Sequence, residues 1–207
     1  MSYKLEDYTH DERRPHSHVV YGDAPLDFLA PLAGKRVLDV GCGNGFWASR
    51  LKALGADVIG VDPSAQGIEI ARKHHPEIRF EQIAAHESIC QELGVPPFDA
   101  VTSFEVVEHL YDPRSWARTC YAALRPGGLF LCTTPYHGYL KNVALALSGA
   151  MERHFTVLWD GGHIKFWSVA SLSTLLTEAG FRDIRWKGYG RVPYIWMGMG
   201  LAGRKPG

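Results

Sequence analysis

Starting at Lys35, apolar residues alternate between short continuous runs and runs spaced three and four positions apart. The first kind predicts buried strands and the second amphipathic helices. Strands are predicted at 36–40, 57–61, 78–82, 98–104 and 129–133. Between them, Trp47, Leu51 and Leu54 mark a helix that Gly55 stops, and a second helix starts after Ser64. A third runs to Leu93, and Asp112-Pro113 opens a fourth with Trp116, Ala117, Cys120 and Leu124 on one face. Alternation of this kind predicts a doubly wound α/β fold, a mostly parallel sheet with helices on both faces.

Residues 134–167 interrupt the alternation and are longer than a strand-to-helix loop requires, so they are expected to carry a cover or a binding surface. Within them Leu140, Val143, Ala144 and Leu147 lie at helical spacing, with Lys141, Asn142 and Ser148 off that face. This helix is a candidate to grip an apolar acceptor; packing onto the domain, a dimer contact and a membrane-surface contact stay open. Ser168 then caps a helix bearing Leu172, Leu175, Leu176 and Ala179, which Gly180 ends. Two last strands, 181–189 and 193–201, are joined too closely for a parallel crossover and are expected to form an antiparallel hairpin at the sheet edge. The chain thus divides into an arm and cap (1–34), a cofactor-binding half (35–133), the insertion (134–167) and a final helix with hairpin (168–207), all in one domain.

Composition narrows the partners. The 207 residues fit one such domain, and 22 Lys plus Arg balance 22 Asp plus Glu, so nothing steers the chain toward nucleic acid. Cys42, Cys90, Cys120 and Cys132 show no paired spacing, which fits reduced thiols and a cytoplasmic setting. Residues 1–21 lack the pattern of a signal peptide, and no run reaches membrane-spanning length, so stable membrane insertion is not expected. The expected partner is a small molecule.

The chemistry concentrates in Val37-Leu38-Asp39-Val40-Gly41-Cys42-Gly43-Asn44-Gly45, a carboxylate at a strand end followed by a glycine-rich turn and a helix. A dinucleotide fingerprint would place a glycine where Phe46 stands, which disfavours NAD. Asp39 could hold an ammonium, and free amides at the helix start a carboxylate, as an amino-acid moiety needs. Asp62 ends the second strand about 20 residues beyond the first glycine, where such folds accept ribose hydroxyls. The ligand so described is an adenosyl amino acid.

These residues, with Val61-Asp62 and Phe98-Asp99-Ala100-Val101, resemble the class I S-adenosylmethionine-dependent methyltransferases across roughly residues 35–190. Glu105-Val106-Val107-Glu108-His109-Leu110 and Leu124-Arg125-Pro126-Gly127-Gly128 are similar to the ubiquinone-biosynthesis O-methyltransferase group and its small relatives. The resemblance implies a seven-stranded Rossmann-like sheet with a C-terminal reversed hairpin, and S-adenosylhomocysteine as product. It implies a cofactor site of Asp39, Gly41, Cys42, Gly43, Gly45 and Asp62, with Phe104 near the sulfonium. Where relatives carry an acid for the adenine edge, Glu81-Gln82-Ile83-Ala84-Ala85 has no aspartate, so backbone at Ile83 and Ala84 is expected to substitute.

Methyl transfer from a sulfonium needs two positioned reactants and removal of the acceptor proton. His163, in Gly161-Gly162-His163, and His109, after the fourth strand, are the candidate bases, and a Gly-x-His segment in the ubiquinone-type relatives favours His163 by resemblance. Glu105, Glu108 and His109 could instead form a metal triad, as in some of those relatives, but salt bridges or caps explain them equally and no metal is assigned. His16, His18 and Tyr21 are candidates for a lid over the cofactor, and Phe155, Trp159, Phe166 and Trp167 suit a planar acceptor. The expected activity is methylation of a small apolar or aromatic acceptor on oxygen. N- or S-methylation, an NAD-dependent oxidoreductase and a non-catalytic binding module are the alternatives.

Overall fold

The computed structural model describes residues 15–155, 157–159 and 161–207, and of the expected lid the His16 side chain lies outside what is described. Its seven strands are β1 (Arg36–Val40), β2 (Asp57–Val61), β3 (Arg79–Glu81), β4 (Phe98–Phe104), β5 (Leu124–Pro135), β6 (Arg182–Tyr189) and β7 (Gly198–Arg204). They form one sheet in the order β3-β2-β1-β4-β5-β7-β6. β1 to β5 run parallel, whereas β7 pairs antiparallel with both β5 and β6. The doubly wound fold and the reversed terminal pair expected from the sequence are both present.

Eight helices flank the sheet among the described residues: α1 (His16–Tyr21), α2 (Phe46–Ala53), α3 (Ala65–His74), α4 (Ile89–Leu93), α5 (Pro113–Ala123), α6 (Tyr139–Leu147), α7 (Met151–Phe155) and α8 (Val169–Glu178). Successive strand residues point to opposite faces, so Leu38 and Val40 join one core with Trp116, Cys120, Leu172 and Leu176, while Val37 joins another with Trp47, Leu51, Ile68 and Phe80. A 3-10 turn at Ala24–Phe28 and the chain after it add Leu26, Leu29 and Leu32 to the second core, so part of the expected N-terminal cap is integral to the domain.

Side-chain caps mark three of the helix starts. Ser64 accepts the Gly67 amide at 3.1 Å, Asp112 accepts that of Ser115 at 3.0 Å, and Ser168 forms a reciprocal cap with Ser171. Caps of this type are worth about 1 kcal/mol each.

Several boundaries differ from expectation. Leu54 is the half-exposed C-cap of α2, because the helix has already ended one residue earlier. Leu124 belongs to β5 and pairs with Phe98, since the strand begins before Pro126-Gly127-Gly128 and resumes after it. The third strand is confined to Arg79–Glu81. The last strand begins at Gly198, not 193: Pro193 lacks an amide, and Arg191 and Tyr194 have φ of 57° and 70°, which no strand admits. No helix among the described residues is long and apolar enough to cross a membrane.

Candidate functional site

The candidate site forms at the carboxyl ends of β1, β2 and β4, where open α/β sheets bind ligands. Asp39 is 1% exposed, and its Oδ1 accepts the Thr102 hydroxyl at 2.8 Å while Oδ2 has no partner. Burial, reinforced by Asp62, pushes its pKa up to about 7 against the relief that the Thr102 bond gives. A ligand ammonium would satisfy the orphaned oxygen and hold the carboxylate ionised.

Asp62 accepts the Gly43 amide at 2.9 Å on one oxygen and the Ser64 amide at 2.8 Å on the other. These bonds fix the glycine turn to the end of β2. An ionised carboxylate has about four acceptor positions, so capacity remains for ribose hydroxyls.

Gly41 has φ of 77°, and a Cβ there would meet Val106 Cγ2 at 2.5 Å. Glycine at 41 therefore serves both the turn and the approach of the segment after β4. The other turn residues differ from expectation. The missing side chain of Gly45 faces Phe80, Ala71 and His75 rather than open space, and the Cys42 thiol packs into the core. The amides of Gly41 and Cys42 donate to Val61 O, that of Gly45 to Cys42 O, and that of Phe46 to Asn44 Oδ1. Amides available to a ligand carboxylate are thus not those of the glycines but the next ones of α2, at Trp47 and Ala48, whose first-turn position gives them no intrahelical acceptor. Phe104 stacks its ring on Trp47 with centroids 4.2 Å apart, so its side chain is part of the core. The Ile83 amide is engaged by Glu81 O at 3.0 Å, which leaves the backbone of exposed Ala84 as the more open position.

Residues 105–109 tie this half to the insertion. Val106 covers Gly41, and Val107 O accepts the Trp167 indole N–H at 3.2 Å. Glu108 O accepts the amides of Ile164 and Lys165 at 2.9 and 3.0 Å. His109 Nδ1 lies 2.9 Å from Gly161 O, which makes Nδ1 the donor, since a carbonyl oxygen can only accept. The His163 ring is 4.9 Å from that of His109, with no hydrogen bond of its own among the described residues. Burial, with His109, His154 and Lys141 as basic neighbours, pulls the His163 pKa down to about 4, so it is a neutral proton acceptor at pH 7. Burial also lowers that of His109.

The two acids diverge. Glu105, with φ of 54°, accepts the Tyr21 hydroxyl at 2.5 Å. Glu108 is buried, accepts the Thr134 hydroxyl at 3.0 Å and keeps Oε1 unpartnered. Burial raises both pKa values, and Glu105 pushes that of Glu108 further up. The set whose donor atoms lie within 4.8 Å of one another is Glu108, His109 and His163, not Glu105, Glu108 and His109. One carboxylate and two imidazoles suit a borderline divalent ion better than magnesium, which prefers oxygen.

The arm packs beside the glycine turn through Tyr21 and His18. Tyr21 packs tilted against Tyr189, with ring centroids 5.2 Å apart, besides bonding Glu105, and the His18 ring lies 4.8 Å from Phe46 and 5.4 Å from Trp47. Sequence reasoning missed the Thr102 bond to Asp39 and the basic group at His137, Lys141 and His154, because both join residues distant in sequence or on a face read as polar.

The family profile described as a methyltransferase domain matches residues 11–185. A ubiquinone biosynthesis O-methyltransferase from Ruegeria pomeroyi is 36% identical over 178 residues, 84% of this chain and 71% of that protein. Another of that name from Thiobacillus denitrificans is 37% identical over 161 residues, 75% of this chain and 68% of its own length. Among solved structures, a SAM-dependent methyltransferase from Archaeoglobus fulgidus superposes with a TM-score of 0.68 at 17% identity, covering 95% of this chain and 97% of its own. One from Mesorhizobium loti gives 0.67 at 21% identity, covering 87% and 95%. Fold, glycine turn and profile agree that the chain belongs to the methyltransferase-domain family, in the class I, S-adenosylmethionine-dependent fold.

Proposed function

We propose that this protein transfers a methyl group from S-adenosylmethionine to a hydroxyl oxygen of a small apolar or aromatic acceptor, with His163 as the base and His109 beside it. The observation that carries the reading is the pair of strand-end carboxylates: Asp39 with an unpartnered oxygen at β1, and Asp62 holding the glycine turn at β2. Asp39 pairs with the ammonium of the methionine moiety, Asp62 accepts the ribose hydroxyls, and the backbone near Ala84 meets the adenine edge. The bound cofactor supplies an electrophilic methyl group. His163, neutral and free of hydrogen bonds among the described residues, takes the hydroxyl proton as the acceptor oxygen becomes nucleophilic. Residues 105–109 keep that imidazole in register with the cofactor turn. The names of the relatives, ubiquinone biosynthesis O-methyltransferases, support oxygen over nitrogen or sulfur.

Titration calorimetry with S-adenosylmethionine, S-adenosylhomocysteine and NAD tests the reading. Binding of the adenosyl ligands alone is expected; binding of NAD alone would overturn it. A second reading follows from the Glu108, His109 and His163 set, which could present a divalent ion as a Lewis acid to the acceptor oxygen. Loss of turnover on chelation, restored by zinc or manganese, selects that reading over a histidine base.

A further inference from the structure

The insertion buries positive charge for which the described residues supply no counter-ion. Lys141 is 4% exposed, and its ammonium makes one hydrogen bond, to Tyr136 O at 2.7 Å, out of three available donors. His137 is 6% exposed with Nδ1 unpartnered, and its ring centroid is 5.3 Å from that of His154. The charged neighbours that act on these groups are all basic: Lys141, His154 and His163 on His137, Arg191 on Lys141, and Lys141 with Arg191 on His154. Burial, and after it repulsion by these neighbours, lowers the pKa of His137 to about 4 and of Lys141 to about 8. Keeping a lysine beside a buried imidazole, with a half-buried second one next to them, is costly unless an anion completes the group.

The surroundings suit an amphiphilic ligand. Phe166 lies 5.0 Å from the His137 ring, and Phe155 stacks nearly parallel to it at 6.1 Å. His163 is electrostatically coupled to both His154 and Lys141, so the basic group and the proposed base share one region.

We propose that Lys141, His137, His154 and Arg191 form an oxyanion subsite that holds a carboxylate or phosphate of the methyl acceptor, while the hydroxyl to be methylated lies toward His163. The inference rests on the methyltransferase reading and adds the acceptor's class, an apolar or aromatic molecule with an anionic end. The ammonium and the Arg191 guanidinium bind the oxyanion, the His137 Nδ1 gains a partner, and Phe155 and Phe166 contact the apolar body.

The test uses the full chain saturated with S-adenosylhomocysteine and the probes benzoate, phenyl phosphate and neutral benzyl alcohol, followed by calorimetry and by the ring nitrogen signals of His137 and His154. At least one anionic probe should bind about tenfold more tightly than the alcohol, as a charged hydrogen bond implies, and should move both ring signals. The tighter of the two anions identifies carboxylate or phosphate. Lys141→Met should erase the preference while leaving S-adenosylhomocysteine binding intact. Arg191→Gln, at an exposed position that the fold tolerates, should weaken anion binding about threefold by loss of one peripheral charge. No preference for either anion in the wild-type protein, no binding of any probe, or a preference that survives both substitutions would overturn the subsite. Failure to bind S-adenosylhomocysteine would instead overturn the methyltransferase reading itself.

Discussion

The glycine turn and the insertion meet at residues 105–109 but are built on opposite terms. Around the turn, the polar groups are bonded by near neighbours, Asp39 Oδ2 apart: Asp62 takes two amides, and Gly41 and Cys42 both donate to Val61. In the insertion the arrangement is inverted. Leu147 is 85% exposed and Leu158 94%, while Lys141 points inward. A face of Leu140, Val143, Ala144 and Leu147 predicts burial of that row, yet Leu140 and Leu147 lie open because the Lys141 ammonium is drawn to Tyr136 O. On the proposed reading the turn holds the cofactor and the insertion the acceptor. Local bonding fixes the first and leaves one carboxylate oxygen open, whereas the second leaves an ammonium and an imidazole short of partners.

Substitutions can separate the two regions. His163→Gln should lower turnover by about 10²–10⁴-fold, the range for loss of a general base, without changing cofactor affinity. Single-turnover kinetics with calorimetry on the same protein checks both halves of that statement, and weakened cofactor binding would erase the division. Asp62→Ala should do the converse, weakening S-adenosylhomocysteine binding by roughly 10–100-fold through loss of hydrogen bonds to a charged acceptor. Unchanged affinity in calorimetry would remove Asp62 from the ribose site.

The pH dependence sharpens the cofactor side. The Asp39 pKa is raised to about 7 in the folded chain, so the protonated acid stabilises the ligand-free protein at low pH, and that contribution is lost as pH rises through about 7. Cofactor affinity should move the other way, rising by up to about tenfold per unit as pH climbs from roughly 5 to 7 and the carboxylate becomes available to the ammonium. Calorimetry at several pH values on wild-type and Asp39→Asn proteins checks this, because the variant should give a flat and weaker profile. The smallest effect is expected on the open face of the insertion: Leu147→Ser should change unfolding free energy by no more than about 0.5 kcal/mol in denaturant titrations. A larger loss would mean that this face is covered in solution.

Legibility followed the range of the interactions. Strand and helix order, the Ser64, Asp112 and Ser168 caps, and the roles open to Asp39 and Asp62 depend on residues close together in sequence, and all could be read there. The start of the last strand could not, since φ above zero at Arg191 and Tyr194 is a consequence of how 190–197 folds back against Tyr136 and Tyr189. Nor could the partner of Glu105: its proximity to Glu108 and His109 suggests one cluster, but Tyr21, 84 positions away, takes its carboxylate and His163 enters the set instead.

By itself the sequence determined the doubly wound sheet, the reversed terminal strands and the carboxylate-flanked glycine turn, because periodicity and turn chemistry act over a few residues. Only the tertiary structure decided which side of α6 faces inward, which histidine is left free of hydrogen bonds among the described residues, and where basic side chains gather. Those outcomes turn on desolvation and on pairing between distant segments, and the cost of burying a charge is set by everything packed around it.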